Sequence, residues 1–525
     1  MPKLLIDFNN MTMNTTLASD KRVPPIFTEI KNVDISKKGR LVKRFGISNA
    51  STNASPDIPE TRINAIAPWV LGDPASPTNQ FIVALGDDQF YYQVFKTSSW
   101  QTAGSAQTGA DTFPWRIAWG INAALAPRVY FADKNAGVFA IEAALGSLTK
   151  HGSDSDASNP WDDAEAVEYF LQRLWVANIK NGSTNLADSL YFSVAGDDND
   201  FYSAGSGLLV IRPPGGGTSS TSVGILGLRV YRNSLYVATG VSLGRITGTT
   251  EDTFGHEFIR PQRNVTGSTM YAAGDYLFYV DFDGIWQFNG STAINLVNDP
   301  SLPGNMQEKW DALSDANDIE VATATWDDGR KFYSVYFPAV AEQWFYHYET
   351  GQWMIWTYSA PNAIRVISPP CGAFNDGQQV DFALGAATNG HVYRLNKSVK
   401  QDDGVAIVAS ITTGHMPIAG YGNEARITGI AVYVARQTAD STIKLDITPD
   451  GDTHINPVQL SLTATLAGSQ QDFPTKYVFD SPTDSSGNEA ATGEFFQFKL
   501  TCETDNVLED VRALEIEYEV LKGAA

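Results

Sequence analysis

Apolar and polar positions along the 525-residue chain alternate in short runs, broken by Gly, Asp and Asn. One unit recurs: an apolar-aromatic run, a turn, then a second aromatic run. Phe81-Ile-Val-Ala-Leu-Gly-Asp-Asp-Gln-Phe-Tyr-Tyr shows it, and so does Val129-Tyr-Phe-Ala-Asp-Lys-Asn-Ala-Gly-Val-Phe. Further copies start near Leu174, Leu190, Leu235, Leu277, Phe332 and Phe382, with Leu174 and Leu190 open to being one copy. From 81 through 129, 190, 235, 277 and 332 to 382, the steps are 48, 61, 45, 42, 55 and 50 residues. Repeats of roughly 40–50 residues match blades of four short strands. Each hairpin alone would expose an aromatic face, and radial stacking of blades buries those faces. The pattern therefore predicts an all-β chain whose main body is a β-propeller of about six to eight blades. A stack of β-sandwiches is the competing architecture.

Helix signals are sparse. Residues 162–176 read as a segment that starts helical and finishes as a strand, and Met306 to Leu313 as a short helix after the Pro300–Pro303 breaker. Past Asp402-Asp403-Gly404 the aromatics thin out and the strands become rich in Thr, Val and Ile, as in Ile427-Thr-Gly-Ile-Ala-Val-Tyr-Val. Leu514-Glu-Ile-Glu-Tyr-Glu-Val alternates strictly, as a strand with one wet face does. The expected organisation is an extended N-terminal arm over 1–60, a β-propeller over 61–403 and a C-terminal β-sandwich over 404–525. The first segment has two possible uses: a closing strand for the last blade or an arm onto a neighbour.

Charge changes this picture. The chain carries net −22, yet residues 1–50 hold nine Lys/Arg against four Asp/Glu. A basic arm on an acidic body suits docking between subunits, with Lys37, Lys38, Arg40, Lys43 and Arg44 as the candidate interface; a solvated basic loop is the alternative. An acidic surface disfavours nucleic acid and anionic membrane. The two cysteines, Cys371 and Cys502, make no disulfide framework and fit a reducing compartment. No run approaches the 18 apolar residues of a membrane-spanning helix, and the N-terminus lacks an apolar leader core. Assembly in a cytoplasm, without membrane insertion, is expected.

The motifs in the chain point away from catalysis. There is no P-loop lysine and no His-Glu-x-x-His, and the six His are scattered. Gly240-Val-Ser-Leu-Gly244 follows a strand but precedes turn and strand material, so Ser242 reads as part of a glycine-rich hairpin rather than a nucleophile elbow. Thr325-Trp-Asp-Asp-Gly-Arg-Lys-Phe332 loosely resembles the Asp-box turn of sialidase propellers, a structural device. The one metal candidate is an oxygen-rich loop: Asp154, Asp156, Ser158, Asp162 and Glu165 fall at the calcium-loop positions 1, 3, 5, 9 and 12. Asn159 stands where such loops carry Gly, and a solvated acidic loop is the other reading. No cofactor is otherwise expected.

Four segments carry a family resemblance. Lys31-Asn-Val-Asp-Ile-Ser-Lys-Lys-Gly-Arg-Leu-Val-Lys-Arg-Phe-Gly46 is the first. Ser189-Leu-Tyr-Phe-Ser-Val-Ala-Gly-Asp-Asp-Asn-Asp-Phe201 and Tyr276-Leu-Phe-Tyr-Val-Asp-Phe-Asp-Gly-Ile-Trp286 follow. The fourth is Trp344-Phe-Tyr-His-Tyr-Glu-Thr-Gly-Gln-Trp353. In these the chain resembles the packaged-DNA stabilisation and tail nozzle (head-to-tail connector) proteins of short-tailed bacteriophages, with Phe45 in place of the family's proline before Gly46. The resemblance implies a non-enzymatic virion protein, built into a homohexameric ring on the tail axis below the portal and adaptor. Such a ring retains packaged DNA and opens a channel for its ejection, and no catalytic residues come with it. An acidic channel wall fits this role, because Lys/Arg would grip passing phosphates without regard to sequence. The alternatives are a tail-tip propeller that binds a receptor or glycan, and a propeller glycosidase.

Overall fold

The computed structural model describes residues 2–8, 27–35, 42–49, 58–70, 80–94, 99–107, 113–142, 147–152, 161–212, 224–302, 304–313, 316–358, 363–369, 382–396, 399–434, 441–450, 460–466, 475–479, 492–502 and 511–521. Four-stranded antiparallel meanders follow one another along the chain. The first is Ala65–Val70, Gln80–Leu85, Phe90–Val94 and Gln101–Ala103. The second is Arg116–Ile121, Pro127–Asp133, Gly137–Glu142 and Leu148–His151. The third comprises Asp163–Phe170, Arg173–Asn181, Thr184–Phe192 and Gly207–Val210. Ile225–Tyr231, Ser234–Thr239, Ser242–Thr247 and Gly255–Pro261 make the fourth. Thr266–Ala273, Tyr276–Asp281, Gly284–Phe288 and Ala293–Asn295 make the fifth. The sixth is Thr323–Asp327, Phe332–Phe337, Glu342–His347 and Gln352–Thr357. The last has only Ile364–Ile367, Ala383–Ala386 and Val392–Asn396 in sequence; Gly46–Asn49, from near the N-terminus, pairs antiparallel with Val392–Asn396 to complete it.

Local chemistry sets the turns. Arg232 and Asn233 both hold positive φ (47° and 57°) between the paired Tyr231 and Ser234, the two-residue geometry that matches strand twist. Leu171 and Gln172 do the same between Phe170 and Arg173. That turn corrects the helical start expected at 162–176: Asp163–Phe170 is a strand throughout, because packing in the third meander overrides the helix preference of its Ala and Glu. The next tight turns are capped by carboxylates. Asp133 Oδ1 accepts from the N–H groups of Asn135 and Ala136, and Asp281 Oδ1 from those of Asp283 and Gly284. Asp327 accepts from the backbone and guanidinium of Arg330, so the Asp-box-like segment acts as a hairpin cap.

The core lies between the meanders. Separate apolar clusters fill the contacts from the last unit round to the fifth, one large cluster runs from the fifth through the sixth to the last, and aromatic pairs mark the seams. Phe90–Phe131 joins first and second at 5.1 Å, Trp175–Phe254 third and fourth at 5.0 Å. Tyr236–Phe288 joins fourth and fifth at 5.8 Å, and Phe278 stacks on Tyr333 at 4.6 Å between fifth and sixth. Ile63, Ile66, Ile82 and Tyr91 of the first unit pack on Val366, Ala383 and Val392 of the last, which closes the circle. The main body is a β-propeller.

Two further sheets use both ends of the chain. Lys3–Asp7 pairs with Val511–Leu521, which pairs with Glu424–Val434. Phe27–Lys31 pairs with Ala409–Thr413, and that sheet continues through Phe495–Cys502 and Ser441–Asp450. Lys31 also pairs in parallel with Ile355 of the sixth meander, so hydrogen bonding runs without a break from the propeller into the C-terminal strands. The inner faces of both sheets, Ile6, Ile430, Val432, Leu445, Phe498 and Ile516 among them, share one cluster with the sixth meander. Among the described residues the N-terminal segment is thus woven into strands of both bodies.

Ile47 is fully buried in the closing strand; Ile47→Ala should destabilise the chain by about 2–5 kcal/mol in denaturant unfolding. Burial pushes the carboxyl of Asp281 up to about 6, although the Trp286 indole and turn N–H groups favour its charge. The folded protein therefore holds this proton more tightly than the unfolded chain, and the stability it contributes is lost as pH rises from about 4 to 6. Asp281→Asn keeps an acceptor for the turn; its unfolding free energy relative to the parent should rise across that interval, by about 2–3 kcal/mol, and level off above it.

Candidate functional site

From the second meander to the last, and from the last to the first, the first strands lie side by side around the propeller axis. Trp119 Nε1 donates to Pro68 O at 3.1 Å and joins the second unit to the first. Two arginines reach further. Arg116 Nε of the second unit donates to Leu226 O of the fourth at 3.3 Å, and Arg229 Nη2 of the fourth donates to Ile117 O of the second at 3.4 Å. Both guanidinium groups span the inner strand of the third unit. Carboxylates from that strand meet them: Glu165 lies 3.4 Å from Arg116 Nη2, and Glu168 lies 3.3 Å from Arg229 Nη1. Arg229 also sits 4.4 Å over the Tyr271 ring of the fifth unit. Gly267, in the fifth unit's inner strand, must be glycine here: a Cβ would stand 1.9 Å from Leu226 O and 2.7 Å from Arg116 Nε. The axis beside the third unit is filled by side chains.

Above this plug, where the inner strands begin, lies a cavity of about 720 Å³. Its floor holds Arg116, Glu165, Asn178 and Thr266, with Asn178 Nδ2 donating to Glu165 Oε2 at 2.6 Å. Burial pushes the Glu165 carboxyl upward, and Arg116 pulls it back. At the rim, Asn264 Nδ2 donates to Glu320 Oε1 at 2.8 Å. Of these residues, only Glu165 was a sequence candidate. Arg116 and Thr266 begin inner strands of other units, Asn178 lies on the strand beside Glu165, and Asn264 and Glu320 lie in the segments leading into the fifth and sixth units, so no single stretch of sequence holds them together.

The remaining sequence candidates fall elsewhere. Asp162 accepts from the N–H of Gly182, and Glu165 is engaged by Arg116 and Asn178. Asp154, Asp156 and Ser158 lie outside the described residues. Among the described residues no group of His, Cys, Asp and Glu is placed to hold a metal ion. Ser242 is fully buried, its Oγ 2.9 Å from Thr239 Oγ1 in the hairpin. Cys502 is buried, and Cys371 lies outside the described residues.

The docking candidates divide. Lys37, Lys38 and Arg40 lie outside the described residues. Lys43 and Arg44 correct the expectation of a docking surface, because both are fully buried. Arg44 donates to Asp402 Oδ1 at 2.9 Å and also to Asp402 Oδ2, to Asn32 Oδ1 at 3.0 Å, to Phe45 O at 2.8 Å and to Thr357 O. Its guanidinium stacks 4.9 Å from the Tyr358 ring centre. A buried charge needs this full set of partners, and the charge is consumed within the chain.

No protein-family model matches the chain, and no curated protein matches it in sequence. Solved structures do. The β-propeller domain of Cps50 (Swd1) from Myceliophteria thermophila is 9% identical, covers 65% of this chain and 98% of its own, with a TM-score of 0.41. The WD40 domain of Pan2 from Neurospora crassa is 11% identical, with coverages of 68% and 97% and a TM-score of 0.36. Virginiamycin B lyase from Staphylococcus aureus is 11% identical, with coverages of 67% and 98% and a TM-score of 0.37. At these scores the matches carry no argument about function.

The Arg44 junction is testable. Arg44→Met leaves Asp402 buried without a counter-charge and should cost about 3–5 kcal/mol in chemical unfolding. The double variant Arg44→Met/Asp402→Leu should recover a large part of that loss.

Proposed function

We propose that each four-stranded meander is one blade, which makes a seven-bladed propeller, and that the two terminal sheets form a β-sandwich on its flank. We further propose that the chain is a non-enzymatic structural protein of a bacteriophage tail nozzle. It would form a homohexameric ring on the tail axis, contact portal, adaptor and other tail proteins, and help retain and then release packaged DNA. The observation that carries this reading is the position of residues 31–35 and 42–46, the described parts of the first segment that resembles that family. Asn32 and Arg44 hold its two ends together, Asn32 Nδ2 reaches Thr357 Oγ1 and Val408 O, and Gly46 starts the closing strand. The two ends of this segment pair with the flanking sheets and with the last meander of the propeller.

The net charge of −22 supports passage rather than grip. Arg116 and Arg229 fill the propeller's axis beside the third unit, and a DNA route between subunits of the ring fits that better than one through a single propeller. Lys37, Lys38 and Arg40 retain their proposed role in docking.

Immunogold labelling of virions from the source, before and after genome ejection, tests the reading. Label at the tail vertex is the expected result. Virions without label at the tail would sink the proposal.

A further inference from the structure

The cavity above the axial plug has a charge balance unlike the rest of the molecule. Its lining carries Arg116, Lys134 and Lys180 against Asp133, Glu165 and Glu320, a formal net charge of zero on a chain of net −22. An anion entering it would face three carboxylates, and a metal ion would face three cationic side chains. A neutral polar molecule meets neither penalty.

The remaining polar groups narrow the class. Four amides line the cavity: Asn135, Asn178, Asn185 and Asn264. Each combines a donor and an acceptor in one plane. A sugar hydroxyl both donates and accepts, and neighbouring hydroxyls on a ring suit planar amides and carboxylates. The carboxylates of Glu165 and Glu320 fix the planes of Asn178 and Asn264 through hydrogen bonds of 2.6 and 2.8 Å. Phe113, Leu226 and Val265 add apolar surface for the C–H face of a ring. The volume, about 720 Å³, lies inside the range of roughly 300–1,000 Å³ of small-molecule sites. These groups come from four consecutive units and the segment leading into the next, so the site exists only in the closed propeller.

We propose that this cavity binds a neutral oligosaccharide, with Glu165, Asn178 and Arg116 on its floor and Asn135, Asn185 and Asn264 at its rim. The inference stands apart from any place of the chain in a virion.

Calorimetric titration of the full chain tests it. The neutral probes are maltotriose, cellotriose, mannotriose and N-acetylchitotriose; the charged probes are a sulfated trisaccharide and calcium chloride. At least one neutral probe should bind with a Kd of about 1 mM or tighter. Asn185 is exposed and outside the core, so Asn185→Ala leaves the fold intact; it should weaken that binding by about tenfold, the loss of one good hydrogen bond. Glu165→Gln keeps the shape of the floor and should weaken it as well. Three results would each overturn the proposal: no neutral probe binding in this range, a charged probe binding more tightly than every neutral one, or Asn185→Ala and Glu165→Gln both binding like the parent.

Discussion

A single buried guanidinium decides how the two bodies of this protein meet. Arg44 gathers Asn32, Thr357 and Asp402, residues from the N-terminal segment, the sixth meander and the linker to the C-terminal sheets. With both charged side chains fully shielded from water, the geometry tolerates no slack: an uncompensated charge there costs more than most single contacts give. The arginine also fixes where the next residues go. Gly46 enters the last meander so closely that a Cβ would stand 1.9 Å from Gln401 O, and the strand it begins completes the circle. Closure of the propeller, continuity of the sheet through Lys31 and Ile355, and the placing of the flanking sheets all follow from that crossing.

Much of the fold was legible in the sequence. The copies starting near Phe81, Val129, Leu174, Leu235, Leu277, Phe332 and Phe382 coincide with the second strands of the meanders. Leu190 belongs to the third strand of the same meander as Leu174, and the irregular spacing comes from the long hairpins there. The pairing of the N-terminal strands was not legible, because Lys3–Asp7 meets its partner across some 500 residues and no local pattern encodes that choice. Lys43 and Arg44 were illegible for a related reason: in composition they belong to one basic run with Lys37 and Lys38, and only tertiary partners such as Asp402 and Asn32 show that Arg44 is a buried residue.

The cavity shows the same limit. Glu165 ends an acidic spacing over residues 154–165, whereas its partners are Arg116, brought in by the packing of the second meander on the third, and Asn178, from the neighbouring strand of its own meander. Spacing along the chain predicts side chains that share a loop. In a closed ring of sheets the residues that meet at the axis are separated by whole meanders, so the chemistry there belongs to the architecture rather than to any motif.

The late arrival of the closing partner has a consequence for how the protein is made. Gly46 pairs with Asn396, so the strand Gly46–Asn49 leaves the ribosome some 350 residues before its partner exists. At 5–20 residues per second that interval is roughly 20–70 s. Throughout it, a strand with Ile47 at its centre has no sheet to join, and the meanders already made form an open arc with an exposed edge at its growing end. Such edges recruit other strands. Until the last meander is made, the closing strand and the growing edge are thus exposed to pairing with other chains, the failure typical of folds closed by distant segments.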